Sequence, residues 1–335
     1  MTDSLTGEGG PVVLVTGGAG YIGSHACEAL AREGFRPVVY DNLDRGHREL
    51  AKFGPLEEGD IRDHARVLEV LERWKPSAVM HFAALTYVGE SVQDPAAYYD
   101  NNVRGAQTLL DAMRTAGVDR FVFSSTAAVY GEPPEQPMTE QTPKAPINPY
   151  GRTKLMIEQL LGDYATAYGL RAVALRYFNA CGAHPTAGIG ELHEPELHLI
   201  PRAIMAIQGK IPQLDIMGTD YPTPDGTAVR DYIHVCDLAD AHVAALRHLD
   251  RAEGFAAMNL GTGRGQSVKE IVEAVRRATG REVPARFAPR RPGDPPVLVA
   301  DPSLAERTLG WKAKWTDIEA VIASAWAFHQ GAHRG

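Results

Sequence analysis

Hydrophobic residues in the first half of the chain form short continuous runs, and longer amphipathic stretches separate them. The runs do not alternate with polar positions, which is typical of parallel strands buried on both faces. They predict strands at residues 12–16, 37–40, 78–83, 121–125 and 172–177. The stretches between them predict helices at residues 22–33, 65–74, 95–116 and 149–168. This alternation predicts an α/β fold with a Rossmann-type, doubly wound parallel sheet.

The pattern changes after about Asn179, where Pro and Gly become frequent and the predicted elements become shorter. We expect strands at residues 229–234 and 258–260, and helices at residues 236–249, 268–279 and 318–330. The organisation predicted is a disordered tail at 1–10, a sheet domain over 11–179 and a smaller, mixed α/β lobe over 180–335. Some segments of that lobe are expected to return to the sheet domain.

Composition narrows the classes of function that the chain can serve. Its 34 Lys and Arg against 42 Asp and Glu give a net charge of -8, spread without long runs of one sign. We therefore expect no binding of nucleic acid or of an anionic membrane surface. No apolar run is long enough to span a membrane, and the first ten residues lack the apolar core of a secretory signal. Three widely spaced cysteines suggest reduced thiols in a cytoplasmic protein.

A glycine-rich segment follows the first predicted strand and opens the first predicted helix. Gly17, Gly20 and Gly23 have the spacing that makes a tight turn, admits a pyrophosphate close to the backbone and lets the helix pack against the strand. Asp41 ends the next strand about 20 residues further on, where a carboxylate binds an adenosine ribose and repels a 2′-phosphate. The pattern predicts an NAD-binding domain over residues 11–179.

Two further loops follow strands in the same half of the chain. Asp60 and Ile61 are candidates for contact with the adenine, with Asp60 as a hydrogen-bond acceptor. Phe82, Ala83 and Ala84 offer small residues where a backbone passes a cofactor. Both loops are expected at the carboxyl ends of strands, which is where ligands bind in open α/β sheets.

A second set of residues predicts proton transfer. Asn148 and Pro149 are typical of a helix start, which places Tyr150 and Lys154 four residues apart on one helical face. A nearby ammonium and an oxidised nicotinamide both favour the phenolate and lower the pKa of the phenol. We expect Tyr150 to take a proton from a substrate hydroxyl while hydride leaves the same carbon. Thr126, at a strand end, can hydrogen-bond the reacting oxygen.

Six further segments carry a resemblance to a known family. They are GGAGYIGSH at 17–25, VGESV at 88–92, YYDNN at 98–102, RYFN at 176–179, GTDY at 218–221 and DGTAVRDYIHV at 225–235. With Tyr150 and Lys154, they resemble the extended short-chain dehydrogenase/reductases, and within them the UDP-glucose 4-epimerases (UDP-galactose 4-epimerases). The resemblance covers about residues 12–326. It implies a tightly held NAD and inversion of a UDP-hexose at C4 through a transient 4-keto sugar, without external reductant.

The resemblance also implies roles for individual residues. The catalytic roles fall on Tyr150 as base, Lys154 as its electrostatic partner and Thr126. Beyond the glycines, NAD contacts fall on Tyr21, Ile22, Asp41, Asn42, Asp60, Ile61, Phe82, Ala83, Ala84, Asn101, Lys154 and Phe178. Besides Thr126 and Tyr150, substrate contacts fall on Asn179, His198, Arg230, Arg291 and Asp294, with Leu298 beside the sugar. The resemblance also implies that the two long helices predicted at 95–116 and 149–168 form a four-helix interface in a homodimer.

Three features qualify this assignment. Thr86 stands where some family members have a Lys near the cofactor ribose. Leu298 stands where some have a bulky Tyr, so the pocket has room for an N-acetyl group. His193 and His198 bracket two acidic residues, but their spacing differs from the helical zinc motif and Pro195 interrupts any helix there, so we expect no metal.

Competing functions share much of this pattern. Sugar-nucleotide dehydratases and decarboxylases have the same fold and Tyr/Lys pair, but they carry acidic residues after or near the strand-end Thr. Here Ala127 and Ala128 follow Thr126, so the elimination chemistry lacks its acid and base. A non-catalytic NAD-binding regulator is disfavoured because the catalytic residues are retained. Epimerisation of a UDP-N-acetylhexosamine, or of a UDP-pentose such as UDP-xylose or UDP-arabinose, remains open.

Overall fold

The computed structural model describes residues 9–291 and 294–331, so most of the tail predicted at 1–10 lies outside the described residues. In chain order the strands are β1 (Val12–Thr16), β2 (Arg36–Asp41), β3 (Leu56–Glu58), β4 (Ala78–His81), β5 (Arg120–Thr126), β6 (Arg171–Tyr177), β7 (Asn179–Cys181), β8 (Leu214–Met217), β9 (Val229–His234), β10 (Phe255–Leu260), β11 (Gly265–Ser267), β12 (Ala285–Ala288) and β13 (Val297–Leu298).

The α-helices are α1 (Tyr21–Arg32), α2 (His64–Trp74), α3 (Val88–Gln93), α4 (Pro95–Tyr98), α5 (Gly105–Ala116), α6 (Pro149–Tyr168), α7 (Leu199–Ile207), α8 (Val235–His248), α9 (Val268–Thr279), α10 (Ser303–Leu309) and α11 (Ile318–His329). Short 3₁₀ turns lie at Arg48–Leu50 and Ala127–Tyr130, and a π-helical segment at Tyr99–Arg104 joins α4 to α5. Within the described ranges, no helix is both long and apolar enough to cross a bilayer.

Seven parallel strands form the main sheet, in the order β10-β6-β5-β4-β1-β2-β3. The direction of winding reverses between β1 and β4, because the chain runs outward from β1 to β3 and then crosses back to β4. Such a switch point opens a crevice at the carboxyl ends of the strands. The glycine-rich segment leaves β1 at this crevice.

Both faces of the sheet are covered, because side chains alternate along each buried strand. On β1, Val13 and Val15 join a core with α1 and α8, whereas Leu14 joins the opposite core with α2, α5 and α6. All three side chains are fully buried. Segments after residue 180 therefore complete this domain, since β10 extends the sheet and α8 covers one of its faces.

The remaining elements form smaller sheets beside the carboxyl edge. Strand β9 pairs with β7, β11 and β13, while β8 pairs with β12. Helices α7, α9 and α11 share an apolar core that includes Ile204, Ile271 and Ile322. This lobe brings β7, β9 and β13 next to one another, although they are distant in the sequence.

Continuous apolar runs predicted the buried strands well. Three predicted elements have the same first and last residues as in the structure. They are the strand at 12–16 (β1) and the helices at 149–168 (α6) and 268–279 (α9). The edge strand β3 was missed because it has three residues, Leu-Glu-Glu, and a single neighbour. The prediction of one helix over 95–116 was wrong in detail, because the π-helical segment interrupts it. Asn102 in that segment is fully buried, which no amphipathic period indicates.

Candidate active site

The glycine-rich turn brings backbone against backbone at two points. Gly17 has φ +72°, and an added Cβ would lie 2.5 Å from the amide nitrogen of Ala83. A Cβ on Gly23 would lie 2.1 Å from the carbonyl oxygen of Gly17. Side chains at these positions would push the first turn of α1 away from β1. The predicted roles in turn formation and close packing therefore have a steric basis here.

The amino end of α1 has the features of a pyrophosphate site. Gly20 is its N-cap, and no side chain caps the helix, so the amides of Tyr21 and Ile22 remain available for an anion. Tyr21 points elsewhere, because its hydroxyl donates to the carbonyl oxygen of Gly182 at 2.6 Å. The residues present therefore fit the diphosphate of a dinucleotide.

Asp41 lies at the end of β2, beside the glycine turn. Its carboxylate accepts hydrogen bonds from the amides of Ala19 (3.0 Å) and Leu43 (2.9 Å). Burial raises the pKa of Asp41, and these two hydrogen bonds oppose that shift. The carboxylate is thus fixed where the sequence predicted contact with the ribose, and its remaining lone pairs can accept hydroxyl donors.

The region predicted to hold adenine is an ordered polar cluster. Arg62 donates to Asp60 through its Nε at 2.9 Å and its terminal nitrogen at 2.6 Å, and also binds Asp100. The hydrogen bond from Arg62 holds the pKa of Asp60 below its usual value, with a smaller contribution from Asn42. Asn42 and Asp60, each predicted to contact the cofactor, thus lie close to each other.

The remaining predicted cofactor residues lie just after strands of the main sheet or in the π-helical segment. The amides of Phe82 and Ala83 donate to the carbonyl oxygen of Thr16 at 2.9 and 3.1 Å, which keeps the loop containing Ala84 beside β1. Asn101 lies in the π-helical segment and donates to Asn102 at 3.0 Å. Two more predicted contacts pack into apolar surroundings: Ile61 with the sheet core, and Phe178 with a cluster beyond β5.

Local contacts position α6 against the end of β5. Asn148 caps the helix by accepting from the amide of Gly151 at 2.8 Å, and Pro149 occupies the first turn, as predicted. A Cβ on Gly151 would lie 2.5 Å from the carbonyl oxygen of Ala128. This glycine allows the helix to approach the turn that follows Thr126. The Thr126 hydroxyl consequently lies beside the phenol of Tyr150, near enough to oppose the rise in the phenol pKa that burial causes.

Lys154 is 1% exposed, and its Nζ donates to the carbonyl oxygen of Ser124 at 2.7 Å. The nitrogen lies 5.9 Å from the ring centre of Tyr150 and 4.8 Å from that of Phe123. The three predicted catalytic residues, Thr126, Tyr150 and Lys154, are therefore assembled at the carboxyl end of one central strand.

Burial dominates the titration of this pair. It lowers the pKa of Lys154 to about 7, although Glu158 opposes the shift. It raises the pKa of Tyr150 to about 12, although the Thr126 hydroxyl opposes that shift. The expected lowering of the phenol pKa by the ammonium does not occur in the protein alone. Desolvation disfavours the phenolate form of Tyr150. It also favours the neutral amine of Lys154, so this side chain is partly deprotonated near pH 7.

A buried network that the sequence analysis missed lies one helical turn beyond Lys154. Glu158 accepts hydrogen bonds from Ser125 at 2.6 Å and from the Nε of Arg176 at 2.9 Å. Arg176 also donates to the hydroxyl of Tyr130 at 2.9 Å. The sequence shows that Lys154 and Glu158 are four residues apart on α6. It does not show that Arg176 on β6 pairs with Glu158.

Three of the predicted substrate residues lie on adjacent strands. Leu298 on β13 lies opposite Arg230 on β9, and Asn179 on β7 lies opposite Tyr232 on β9. Arg230 is 9% exposed and forms an ion pair with Asp294. The strand pairing therefore assembles residues that the sequence could assign only through the family resemblance.

A cleft of about 450 Å³ adjoins this ion pair, and Arg291, Asp294 and Tyr221 line it. Tyr221 was not predicted as a site residue. Its ring packs under the Arg290 guanidinium, 4.2 Å from the ring centre. Its pKa is raised by burial and by Asp294, which places the phenol in the same electrostatic environment. Arginines here suit a diphosphate, because a guanidinium offers paired donors and stays charged.

His198 lies in a separate cluster, at the start of α7. Its Nδ1 is 2.6 Å from Glu191 and 3.1 Å from Glu196. Burial alone would lower the pKa of His198, but these carboxylates raise it to about 10. His193 joins the cluster through Glu191 at 2.9 Å. The exclusion of a metal considered only a helical arrangement, whereas a loop brings these four side chains together.

Comparison with known proteins identifies the family. The model of the NAD dependent epimerase/dehydratase family matches residues 13–261, which is most of the chain. The chain belongs to this family. A UDP-glucose 4-epimerase from Rhizobium meliloti is 55% identical over 323 residues, covering 96% of this chain and 98% of the relative.

Solved structures of family members have the same fold. A UDP-glucose 4-epimerase from Brucella ovis in complex with NAD has a TM-score of 0.92 at 55% identity, covering 94% of this chain and 97% of that one. A UDP-glucose-4-epimerase from Stenotrophomonas maltophila, with bound NAD and formylated UDP-arabinopyranose, has a TM-score of 0.93 at 45% identity, covering 97% and 99%. The predicted Rossmann-type fold, epimerase class and NAD cofactor are confirmed.

The close approach at Gly23 generates a test of the dinucleotide cradle. Gly23→Ala should destabilise the protein by about 1–3 kcal/mol and reduce NAD affinity about tenfold or more, because the new methyl group meets the Gly17 carbonyl. Gly89→Ala is the control, since its added Cβ has no neighbour within 4 Å. Thermal unfolding and NAD content after gel filtration measure both effects. Equal NAD content in the two variants would contradict the assignment.

Proposed function

We propose that this protein interconverts UDP-galactose and UDP-glucose by inverting C4 of the hexose, with Tyr150, Lys154 and Thr126 as its catalytic residues. One observation carries the proposal: Thr126, the neighbouring phenol of Tyr150 and a buried Lys154 lie together at the end of a strand next to a dinucleotide cradle. The likeness to UDP-glucose 4-epimerases at 55% identity supports the substrate class.

Tyr150 is the proton acceptor in this account. Bound NAD supplies a reversible hydride acceptor and a positive charge that favours ionisation of a nearby phenol. As the phenolate, the Tyr150 oxygen would take the proton of the C4 hydroxyl and later return it, while Thr126 would hold the reacting oxygen through its hydroxyl. Because the pKa of Lys154 lies near 7, its ammonium can give up or regain a proton at working pH.

The second lobe binds the substrate in this account. Arg230 and Arg291 bind the diphosphate with Asp294 orienting Arg230, and Asn179 and His198 contact the nucleotide end. Inversion requires the sugar to turn over while the nucleotide stays fixed, so the strongest contacts belong on the diphosphate. Leu298, opposite Arg230 on the neighbouring strand, then faces the sugar.

The alternatives are distinguished by chemistry at the strand end and by pocket size. Ala127 and Ala128 follow Thr126 as a turn without acidic side chains, which disfavours dehydration or decarboxylation. The second candidate function is C4 epimerisation of a UDP-sugar other than UDP-galactose. The structure from Stenotrophomonas maltophila bound to a UDP-arabinopyranose derivative favours a UDP-pentose, and Leu298 favours a UDP-N-acetylhexosamine.

A homodimer and a cytoplasmic location belong to the same proposal. Met156 and Tyr168 on α6 are 42% and 59% exposed, and Val92 on α3 is 63% exposed. These apolar side chains lie on or next to the helical layer that the family resemblance implies as the dimer interface. Burial between two copies would remove them from water.

The first test is direct conversion. The purified protein should turn UDP-galactose into UDP-glucose without added reductant, and heat treatment should release NAD from it. Product formation can be followed by chromatography of the two UDP-sugars. If the protein supplied with NAD converts none of a panel of UDP-hexoses, UDP-N-acetylhexosamines and UDP-pentoses, the proposal is wrong.

The second test addresses the base. Tyr150→Phe should lower kcat by about 10²–10⁴-fold, because proton transfer loses its positioned acceptor, while NAD content stays unchanged. Tyr168→Phe is the matched control, since Tyr168 ends the same helix and is mostly exposed. Unchanged turnover in Tyr150→Phe would place the base elsewhere.

The third test addresses pocket size. The wild type should turn over UDP-N-acetylgalactosamine, and Leu298→Tyr should lower kcat/KM for it by about 10–200-fold relative to UDP-galactose. Leu298→Met conserves volume and should leave the ratio nearly unchanged. An unaltered ratio in Leu298→Tyr would show that other residues set the pocket.

A further inference from the structure

Four side chains of residue types that can bind metal ions lie close together in the loop before α7. Glu191, His193, Glu196 and His198 each offer one ligand atom, and these atoms all lie within 4.8 Å of one another. The carboxylates are almost fully enclosed, with the side chains of Glu191 and Glu196 4% and 5% exposed. The loop gathers them without a helix, so the spacing of a helical metal motif did not predict the cluster.

The charges in this cluster are unusual for a protein interior. Among residues 9–291 and 294–331, no Lys or Arg side chain forms an ion pair with Glu191 or Glu196, and their recorded partners are the two histidines. In the metal-free protein the two histidines are the partners of these carboxylates. A divalent cation bound to neutral imidazoles would replace the histidine protons as the countercharge of both carboxylates.

The spacings fit a four-coordinate ion. The Nδ1 of His198 lies 2.6 Å from the Oε1 of Glu191 and 3.1 Å from the Oε1 of Glu196. The Nδ1 of His193 lies 2.9 Å from the Oε1 of Glu191 and 3.8 Å from the Oε2 of Glu196, and with one atom from each residue the four ligand atoms lie within 4.8 Å of one another. Ligands about 2.1 Å from a tetrahedral zinc ion are about 3.4 Å apart. The observed separations bracket this value, so small side-chain rotations would open the site.

We infer that this cluster is a zinc site, with both Nδ1 atoms and one oxygen of each carboxylate as ligands. Two imidazoles and two carboxylates are a nitrogen and oxygen donor set that suits Zn²⁺, and they balance its charge. Four protein ligands leave no open position, so the role is structural. Coordination through Nδ1 leaves the Nε2 of His198 available for the proposed nucleotide.

The surroundings indicate what such an ion would hold in place. The His193 ring packs edge-on against Tyr21, with ring centres 6.2 Å apart. Tyr87 donates to the carbonyl oxygen of Pro195 at 2.9 Å, and His47 contacts the carbonyl oxygen of Leu192 at 2.7 Å. The zinc would therefore fasten the loop before α7 against the dinucleotide-binding domain.

The test is metal content of the untagged full chain purified with its NAD. After chelator treatment, exposure to Zn²⁺ and gel filtration, mass spectrometry should find about one zinc per chain. His193→Gln and Glu196→Gln should each weaken zinc affinity by about 100-fold or more, because each removes a direct ligand. His64→Gln, at an exposed helix end, is the control and should retain the metal. Zinc should also raise the midpoint of thermal unfolding of the wild type and of His64→Gln. It should leave the midpoint of the two ligand variants unchanged.

Cobalt substitution identifies the donor atoms. Co²⁺ should give visible bands of a four-coordinate site without a thiolate charge-transfer band. Far less than one zinc per chain in the wild type would overturn the inference, as would full retention by both ligand variants. A thiolate band would also overturn it by assigning the metal to a cysteine. Circular dichroism shows whether each of the two ligand variants folds. If one does not fold, the zinc affinity is taken from the other.

Discussion

The burial of the Lys154 ammonium at the end of β5 is the constraint on which the active site depends. A charge at 1% exposure requires fixed partners, and the carbonyl of Ser124 provides one at 2.7 Å. Glu158 provides a longer-range countercharge, and Arg176 in turn neutralises Glu158. Removing one member of such a buried pair typically costs about 3–5 kcal/mol. The catalytic geometry and the stability of the central sheet are therefore coupled.

The same constraint explains the local sequence of α6. The helix can bury Lys154 only if it approaches β5 closely, which Gly151 permits and the Asn148 cap fixes. Thr153, next to Lys154, is hydrogen-bonded to the buried Asn102 at 3.1 Å. This contact links α6 to the π-helical segment, a type of distortion that often occurs at functional sites. The helix cap, the close approach at Gly151 and the Thr153–Asn102 hydrogen bond thus fix the position of Tyr150 without a ligand.

The sequence predicted features that lie within one element or at its ends. Hydrophobic period and helical spacing depend on residues that are close together in the sequence. They therefore predicted the strands around β1, the glycine-rich turn and the Tyr150/Lys154 pair. The Arg176–Glu158 pair and the juxtaposition of Leu298 with Arg230 were not, because strand order and cross-strand register determine them. The cluster around His198 was only partly anticipated: the two histidines beside acidic residues were noted, but the spacing of a helical metal motif does not describe an irregular loop. The raised pKa of Tyr150 also needed the structure, since burial sets it.

Hydride return to the same carbon is the central claim of this account, and isotope retention tests it most directly. UDP-galactose with deuterium at C4 is converted in ordinary water, and the product is analysed by mass spectrometry and NMR. The account predicts that UDP-glucose retains the deuterium at C4, because a transferred hydride does not exchange with solvent while Tyr150 moves only the hydroxyl proton. Replacement of the deuterium by solvent hydrogen would contradict it.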